Sequence, residues 1–273
     1  MPLRLLLATD IHYPSTTVFV VRRAIELVKP DAVVISGDLS ENGRVGEIRR
    51  LFEVLRKADK GVRIIAVLGN HDLRRTREGE GVHEKLERIA KHLEGLNVEL
   101  LDIVSSTELG DYRVVGNVGW YDYSFAPGYP EEYYLNCNPY GYSKEYLKAV
   151  CERRPYDCPF PYHRDCIYVD VDSREFAREN KERIRREMKG DRIIVVTHHA
   201  PLKELLMKQW FFNAYDGQDM SELLDWRVRY FLYGHLHEHS PPRAVVKGVV
   251  FVNPYRFQGN LKDYVTNAVL TLV

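Results

Sequence analysis

Short apolar runs separated by longer stretches of helical period constrain this chain more than any other feature. In order the runs are LRLLLAT, DAVVIS, VRIIAVLG, NVELL, YRVVGNVGW, RIIVVTH, YFLYGH, VVFVN and AVLTLV. Between the first three lie TVFVVRRAIELVKP and GEIRRLFEVLRKADK, and in the second Ile48, Leu51, Phe52 and Leu55 fall on one helical face. A further helical stretch, EFARENKERIRREMKG, ends in Gly190, a stop signal ahead of the next strand. Strands alternating with helices imply an α/β fold. The length of 273 residues suits one large α/β domain or two small ones, and a hydrophobic share of 45% can bury a sizeable core.

One segment breaks the rhythm. Residues 121–170 are dense in tyrosine and proline and hold all four cysteines, Cys137, Cys151, Cys158 and Cys166. Neither period runs through it, and no Gly/Ser linker or internal repeat sets it apart. It reads as an insertion or cap within a single domain spanning 1–273. The cysteine spacings do not match a paired CxxC zinc framework, and free thiols or disulfides both remain open.

Charge and the N-terminus narrow the partners. Lys+Arg and Asp+Glu both number 39, so no net positive field argues for a nucleic-acid or membrane-surface binder. The opening MPLRLLLATD is too short to span a bilayer, lacks a small-residue cleavage pattern and runs into Asp10 and His12. It reads as the first strand of a cytoplasmic protein.

Five runs end in polar side chains, where ligands bind in open α/β sheets. TDIH follows the first, with Asp10 and His12 two apart. In an extended segment that spacing points both to one side, towards one ion. GDLSENG follows the second, where Gly37 permits a tight exit and Asp38 offers a carboxylate. GNHD follows the third, with Gly69 clearing the backbone before Asn70, His71 and Asp72. HHAP and GHLH complete the set with His198, His235 and His237. Singly, each motif is as readily a hydrogen-bonded structural feature. Together they supply imidazole, carboxylate and carboxamide groups, with no thiolate, a donor set that suits Zn²⁺, Mn²⁺, Fe or Co. Such a set fits a two-metal phosphoryl-transfer site, in which ions about 3.5–4 Å apart hold the attacking and leaving oxygens.

The ordered motifs Asp10-x-His12, Gly37-Asp38, Gly69-Asn70-His71-Asp72, His198 and Gly234-His235-x-His237 resemble the complete signature of the calcineurin-like metallophosphoesterases. The resemblance implies a four-layer αββα sandwich, two mixed sheets face to face with helices outside, and a site at one rim. It implies two divalent ions, one on Asp10, His12 and His237, the other on Asn70, His198 and His235, with Asp38 bridging. His199 is expected to point away. Metal-bound hydroxide would attack in line, and His71 would protonate the leaving oxygen. Asp72 is expected to accept from the other ring nitrogen of His71 and so fix its tautomer.

The second motif lacks the arginine of phosphoprotein phosphatases. It is more similar to that of class III cyclic-nucleotide phosphodiesterases. The expected activity is hydrolysis of a small phosphate ester, phosphodiesters favoured. A metal-dependent exonuclease or a phosphomonoesterase is the alternative, and a non-catalytic scaffold is a further one. Arg74 and Arg75 behind the motif could clamp a substrate phosphate, or be solvated loop arginines. Trp120, Tyr121 and Tyr123, with Trp210, Phe211 and Phe212, could stack a nucleobase or simply pack the insertion onto the domain.

Overall fold

The computed structural model describes residues 2–126, 171–208 and 211–272. The four cysteines, Trp210 and the expected insertion from residue 127 onwards lie outside the described residues, as do the side chains of Phe211 and Phe212. In chain order the strands are β1 (Leu3–Ala8), β2 (Ala32–Ser36), β3 (Arg63–Val67), β4 (Val98–Leu100), β5 (Ser106–Leu109) and β6 (Tyr112–Gly116). They continue as β7 (Ile193–Val196), β8 (Val228–Leu232), β9 (Arg243–Val246), β10 (Val249–Val252) and β11 (Val269–Leu272). The helices are α1 (Thr17–Val28), α2 (Val45–Arg56), α3 (Val82–Leu93), α4 (Leu101–Val104), α5 (Ser173–Glu187) and α6 (Leu261–Asn267).

Two mixed sheets result, in the orders β11-β1-β2-β3-β4 and β5-β6-β7-β8-β10-β9. The central strands run parallel, while β11, β5 and β9 pair antiparallel at the edges. Period-two alternation then decides what each apolar side chain meets. Leu5, Leu7, Val34, Ile65 and Val67 face Val114, Ile194, Val196, Leu232 and Val252 across the gap between the sheets. Leu6, Ala8, Val33, Ile35, Ile64 and Ala66 turn outwards, onto α1, α2, α3 and α6. On the far side, Val115, Ile193, Val195, Phe231 and Phe251 pack under Ile184 and Met188 at the end of α5, and under the loops carrying Leu202 and Met220. This is the expected four-layer sandwich. Burial on both faces is why the inner strands read as unbroken apolar runs.

All nine runs are strands, and Ile48, Leu51, Phe52 and Leu55 are all buried. Two strands escape a sequence reading. STEL (β5) and RAVV (β9) are held by hairpin pairing at sheet edges and need no continuous apolar run. Helix α3 escapes as well, because its core-facing stripe of Ile89 and Leu93 includes the fully buried Lys85.

Candidate metal centre

The strand ends β1, β2, β3, β7 and β8 open onto one rim, and the loops leaving them carry every candidate ligand. Backbone hydrogen bonds lock neighbouring exits together: Asp10 N–H donates to Gly37 O (3.0 Å), His12 N–H to Asp38 O (2.9 Å) and Gly234 N–H to His198 O (3.0 Å). Glycine is required at three of these exits. Gly37 has φ +90°, and a Cβ there would overlap the His198 ring; at Gly69 a Cβ would overlap the Asp38 carboxylate, and at Gly234 the Thr9 hydroxyl.

Two donor groups form. In the first, Asp10 Oδ1 lies 3.2 Å from His237 Nε2 and 3.9 Å from His12 Nε2. In the second, Asn70 Oδ1 lies 3.0 Å from His198 Nε2 and 2.9 Å from His235 Nδ1. Asp38 stands between them, with Oδ2 3.5 Å from His12 Nε2 and Oδ1 3.4 Å from His198 Nε2. His198 Nδ1 donates to Ser36 O at 2.9 Å, which turns Nε2 towards Asn70 and Asp38.

Asp10 and His12 do come together, but not through the extended backbone that their spacing suggested. Neither residue is extended: Asp10, His12, Asp38, His235 and His237 have φ of +46°, +48°, +48°, +65° and +47°. Left-handed backbone in a non-glycine residue costs on the order of 1–3 kcal/mol and persists where surrounding structure imposes it. Here it aims side chains that regular strands would splay. His235 and His237, equally spaced, go to different groups. His199 is buried against Trp120 and Tyr121, with its ring 4.5 Å from that of His235.

The donor set fits divalent ions. Asp10 Oδ1 and His12 Nε2 are buried without a hydrogen-bond partner, and three sets of ligating atoms, Asp10–His12–His237, His12–Glu41–His71 and Asp10–Asp38–His198, each lie close enough together to hold a cation. Electrostatics agrees. Burial alone would raise the Asp38 carboxyl, but His198, His71 and His12 hold it well below the usual carboxylate range. Burial would lower His12 and His198, yet Glu41, Asp38 and Asp10 bring His12, and Asp38 and Asp10 bring His198, up to about 9. The carboxylates thus favour positive charge at this rim, whether it is carried by protons or by cations.

Asp72 corrects an expectation. Its carboxylate does not meet His71; it accepts from Leu39 N–H (2.9 Å), Gly69 N–H (2.9 Å), Ser40 N–H (2.7 Å) and Ser40 Oγ (2.8 Å). It staples the β2 and β3 exit loops. The group that orients His71 is Glu41, unmarked in the sequence apart from lying three residues past Asp38. His71 Nδ1 donates to Glu41 O at 3.0 Å, while the Glu41 carboxylate lies 3.0 Å from His12 Nδ1 and 3.5 Å from His71 Nδ1. Arg74 bonds Glu41 O at 2.7 Å and lies 3.3 Å from His71 Nε2. Arg75 is half-buried, and neither it nor Arg74 lines the cleft beside the site, though Arg74 reaches His71 at its edge. Trp120, Tyr121 and Tyr123 are buried against one another and Tyr215, so they pack the core and present no face to a nucleobase.

The profile of the calcineurin-like phosphoesterases matches residues 3–239. The chain belongs to this family. As a member it is a metal-dependent phosphoester hydrolase, with a pair of divalent ions, of open identity, as its cofactor. Among solved structures, one aligns with TM-score 0.57 at 12% identity over 93% of this chain and 91% of its own. TT1561 of Thermus thermophilus aligns with TM-score 0.50 at 14% identity over 99% of this chain and 98% of its own. A dimetal phosphatase from Danio rerio follows at TM-score 0.47 and 12% identity, over 93% and 87%. No curated protein sequence matches the phosphoesterase significantly. Among its described residues, no helix is long and apolar enough to cross a membrane.

Proposed function

We propose that this phosphoesterase hydrolyses small phosphate esters, phosphodiesters favoured, at a two-ion site built by the seven aligned ligands. The observation that carries the reading is Asp38, one buried carboxylate whose two oxygens face His12 and His198 from opposite donor groups. Asp10, His12 and His237 would hold one ion, Asn70, His198 and His235 the other, and Asp38 both. Two divalent ions held there would supply an activated water and neutralise phosphoryl charge.

The chain's own groups do the rest. The Glu41 carbonyl can only accept, so the proton of a neutral His71 ring sits on Nδ1 and Nε2 is left facing Arg74 and, 3.9 Å away, Asp38. Nε2 is the atom placed to carry a proton to the leaving oxygen once Arg74 turns from it to the substrate. Arg74, held by Glu41 beside His71 Nε2, would bind phosphoryl oxygens on turning into the site. The preference for diesters rests on space. A cleft of about 770 Å³ extends from Asp10, His12, His71 and His237 to Ser15, Thr17, Tyr255 and Gly259, with room for a second ester group.

The test is hydrolysis of bis-p-nitrophenyl phosphate beside p-nitrophenyl phosphate, on chelator-stripped protein titrated with Mn²⁺. Metal-dependent turnover with the diester ahead is expected. A faster monoester would overturn the diester preference, and no turnover of either with metal bound would overturn the reading for small esters.

A further inference from the structure

The family match ends at residue 239, yet one wall of the cleft is built beyond it, by Tyr255, Arg256, Gln258 and Gly259. Two of these side chains do more than line space. The Tyr255 ring stacks on His237, centroids 4.3 Å apart and planes 2° from parallel. His237 is 39% exposed in its side chain, far more than its partner Asp10, so its own loop does little to fix the ring. Gln258 is buried and clamps the backbone of Thr9 from both sides: Oε1 accepts from Thr9 N–H at 2.8 Å and Nε2 donates to Thr9 O at 2.7 Å.

Thr9 passes the constraint on. Its hydroxyl lies 2.7 Å from Asp10 Oδ2, which also accepts from His235 N–H at 3.1 Å. With Oδ2 engaged, Asp10 presents Oδ1, buried and without a hydrogen-bond partner, to His237. The segment itself is anchored, since Asn253 donates to Ser240 Oγ at 2.9 Å and accepts from Tyr255 N–H at 3.1 Å. Tyr255 stacks on His237 and Gln258 grips Thr9, so both act from the Asp10 side of the centre.

We propose that Tyr255 and Gln258 are positioning residues for one ion only, the ion of the Asp10–His12–His237 group, so that this segment sets the affinity of one half of the centre independently of the other. The inference rests on the two-ion reading above. Groups that orient metal ligands change affinity by ~10–100-fold when removed.

The experiment is calorimetric titration of the chelator-stripped full chain with Mn²⁺, on wild type, Tyr255→Leu, Tyr255→Phe and Gln258→Ala. Two binding events are expected in wild type. Tyr255→Leu should weaken one of them ~10–100-fold and spare the other, with Tyr255→Phe close to wild type because it keeps the stacked ring. In a His235→Ala background, where the Asp10-side ion is the one retained, Tyr255→Leu should still weaken it. Gln258→Ala should act at the same event; if that variant does not fold, the Tyr255 pair decides alone. Unchanged affinities in Tyr255→Leu, or equal weakening at both events, would overturn the inference while leaving the two-ion reading intact. Fewer than two equivalents bound by wild type would overturn the two-ion reading and the inference with it.

Discussion

His71 is oriented by Glu41 and not by its neighbour Asp72. The ring donates through Nδ1 to the Glu41 carbonyl at 3.0 Å, and the same residue's carboxylate reaches His12 at 3.0 Å. One residue therefore links a candidate ligand, through its side chain, to the candidate proton donor, through its backbone carbonyl, with the carboxylate 3.5 Å from the same His71 nitrogen. Glu41→Ala keeps the carbonyl but removes the carboxylate beside His12 Nδ1 and His71 Nδ1; it should lower kcat by ~10-fold or more with KM little changed. Steady-state kinetics on the diester, with metal content measured alongside, checks this; a rise in KM alone would assign Glu41 to substrate binding.

His71→Ala should retain both ions and lose ~10²–10⁴-fold in turnover, the usual contribution of a positioned acid. Its ring lies 4.5 Å from that of His12 and belongs to neither of the two proposed ligand sets. Metal analysis of the purified variant and single-turnover rates separate the two effects. Full activity would remove His71 from the chemistry.

Asp72→Ala should act on stability first. It would leave the buried N–H groups of Leu39, Ser40 and Gly69 without their acceptor, a loss of about 3 kcal/mol or more. Urea unfolding measures it. A variant as stable as wild type would show that the staple joining the two loops is dispensable.

Asp102 gives a pH signature. Its carboxylate accepts from Leu68 N–H at 2.7 Å and Val118 N–H at 2.8 Å, tying the two sheets together under the rim, and burial pushes it up to about 6. A raised folded value means the folded state holds the proton more tightly. The resulting stability is fully present below the unfolded value near ~3.9 and is lost as pH rises through about 6, roughly 3 kcal/mol in all. Asp102→Asn lacks this slope, so its stability relative to wild type should climb by that amount between pH 4 and 7. Parallel unfolding free energies across that range would contradict the assignment.

Metal uptake should release protons. With His12 and His198 at about 9 in the ion-free site, both imidazoles are charged at pH 7.5 and must lose a proton to ligate. Titrations in buffers of different ionisation enthalpy should give a slope near ~2 protons released. A slope of zero would show that the ions bind elsewhere.

The sequence by itself determined the strand runs, their order and the loops that carry the ligands. Unbroken apolar stretches can only be strands covered on both faces, and polar groups placed at their ends must gather on one rim. It could not reveal β5 and β9, which exist through pairing alone, nor α3, whose core face includes a lysine satisfied by the carbonyls of Gly43 and Arg74. The aim of the side chains was decided only in three dimensions. The left-handed residues Asp10, His12 and Asp38 bond backbone to backbone across neighbouring loops, and His235 N–H bonds the Asp10 carboxylate. The partner of His71 depends on which loop lies beside it. Adjacent in sequence, Asp72 points into the loop backbone; Glu41, thirty residues away, faces the ring. Tyr255 and Gln258 meet His237 and Thr9 only because β10 returns the chain to the rim beside β8. Local pattern sets what each residue can donate, and the packing of the two sheets sets which atom receives it.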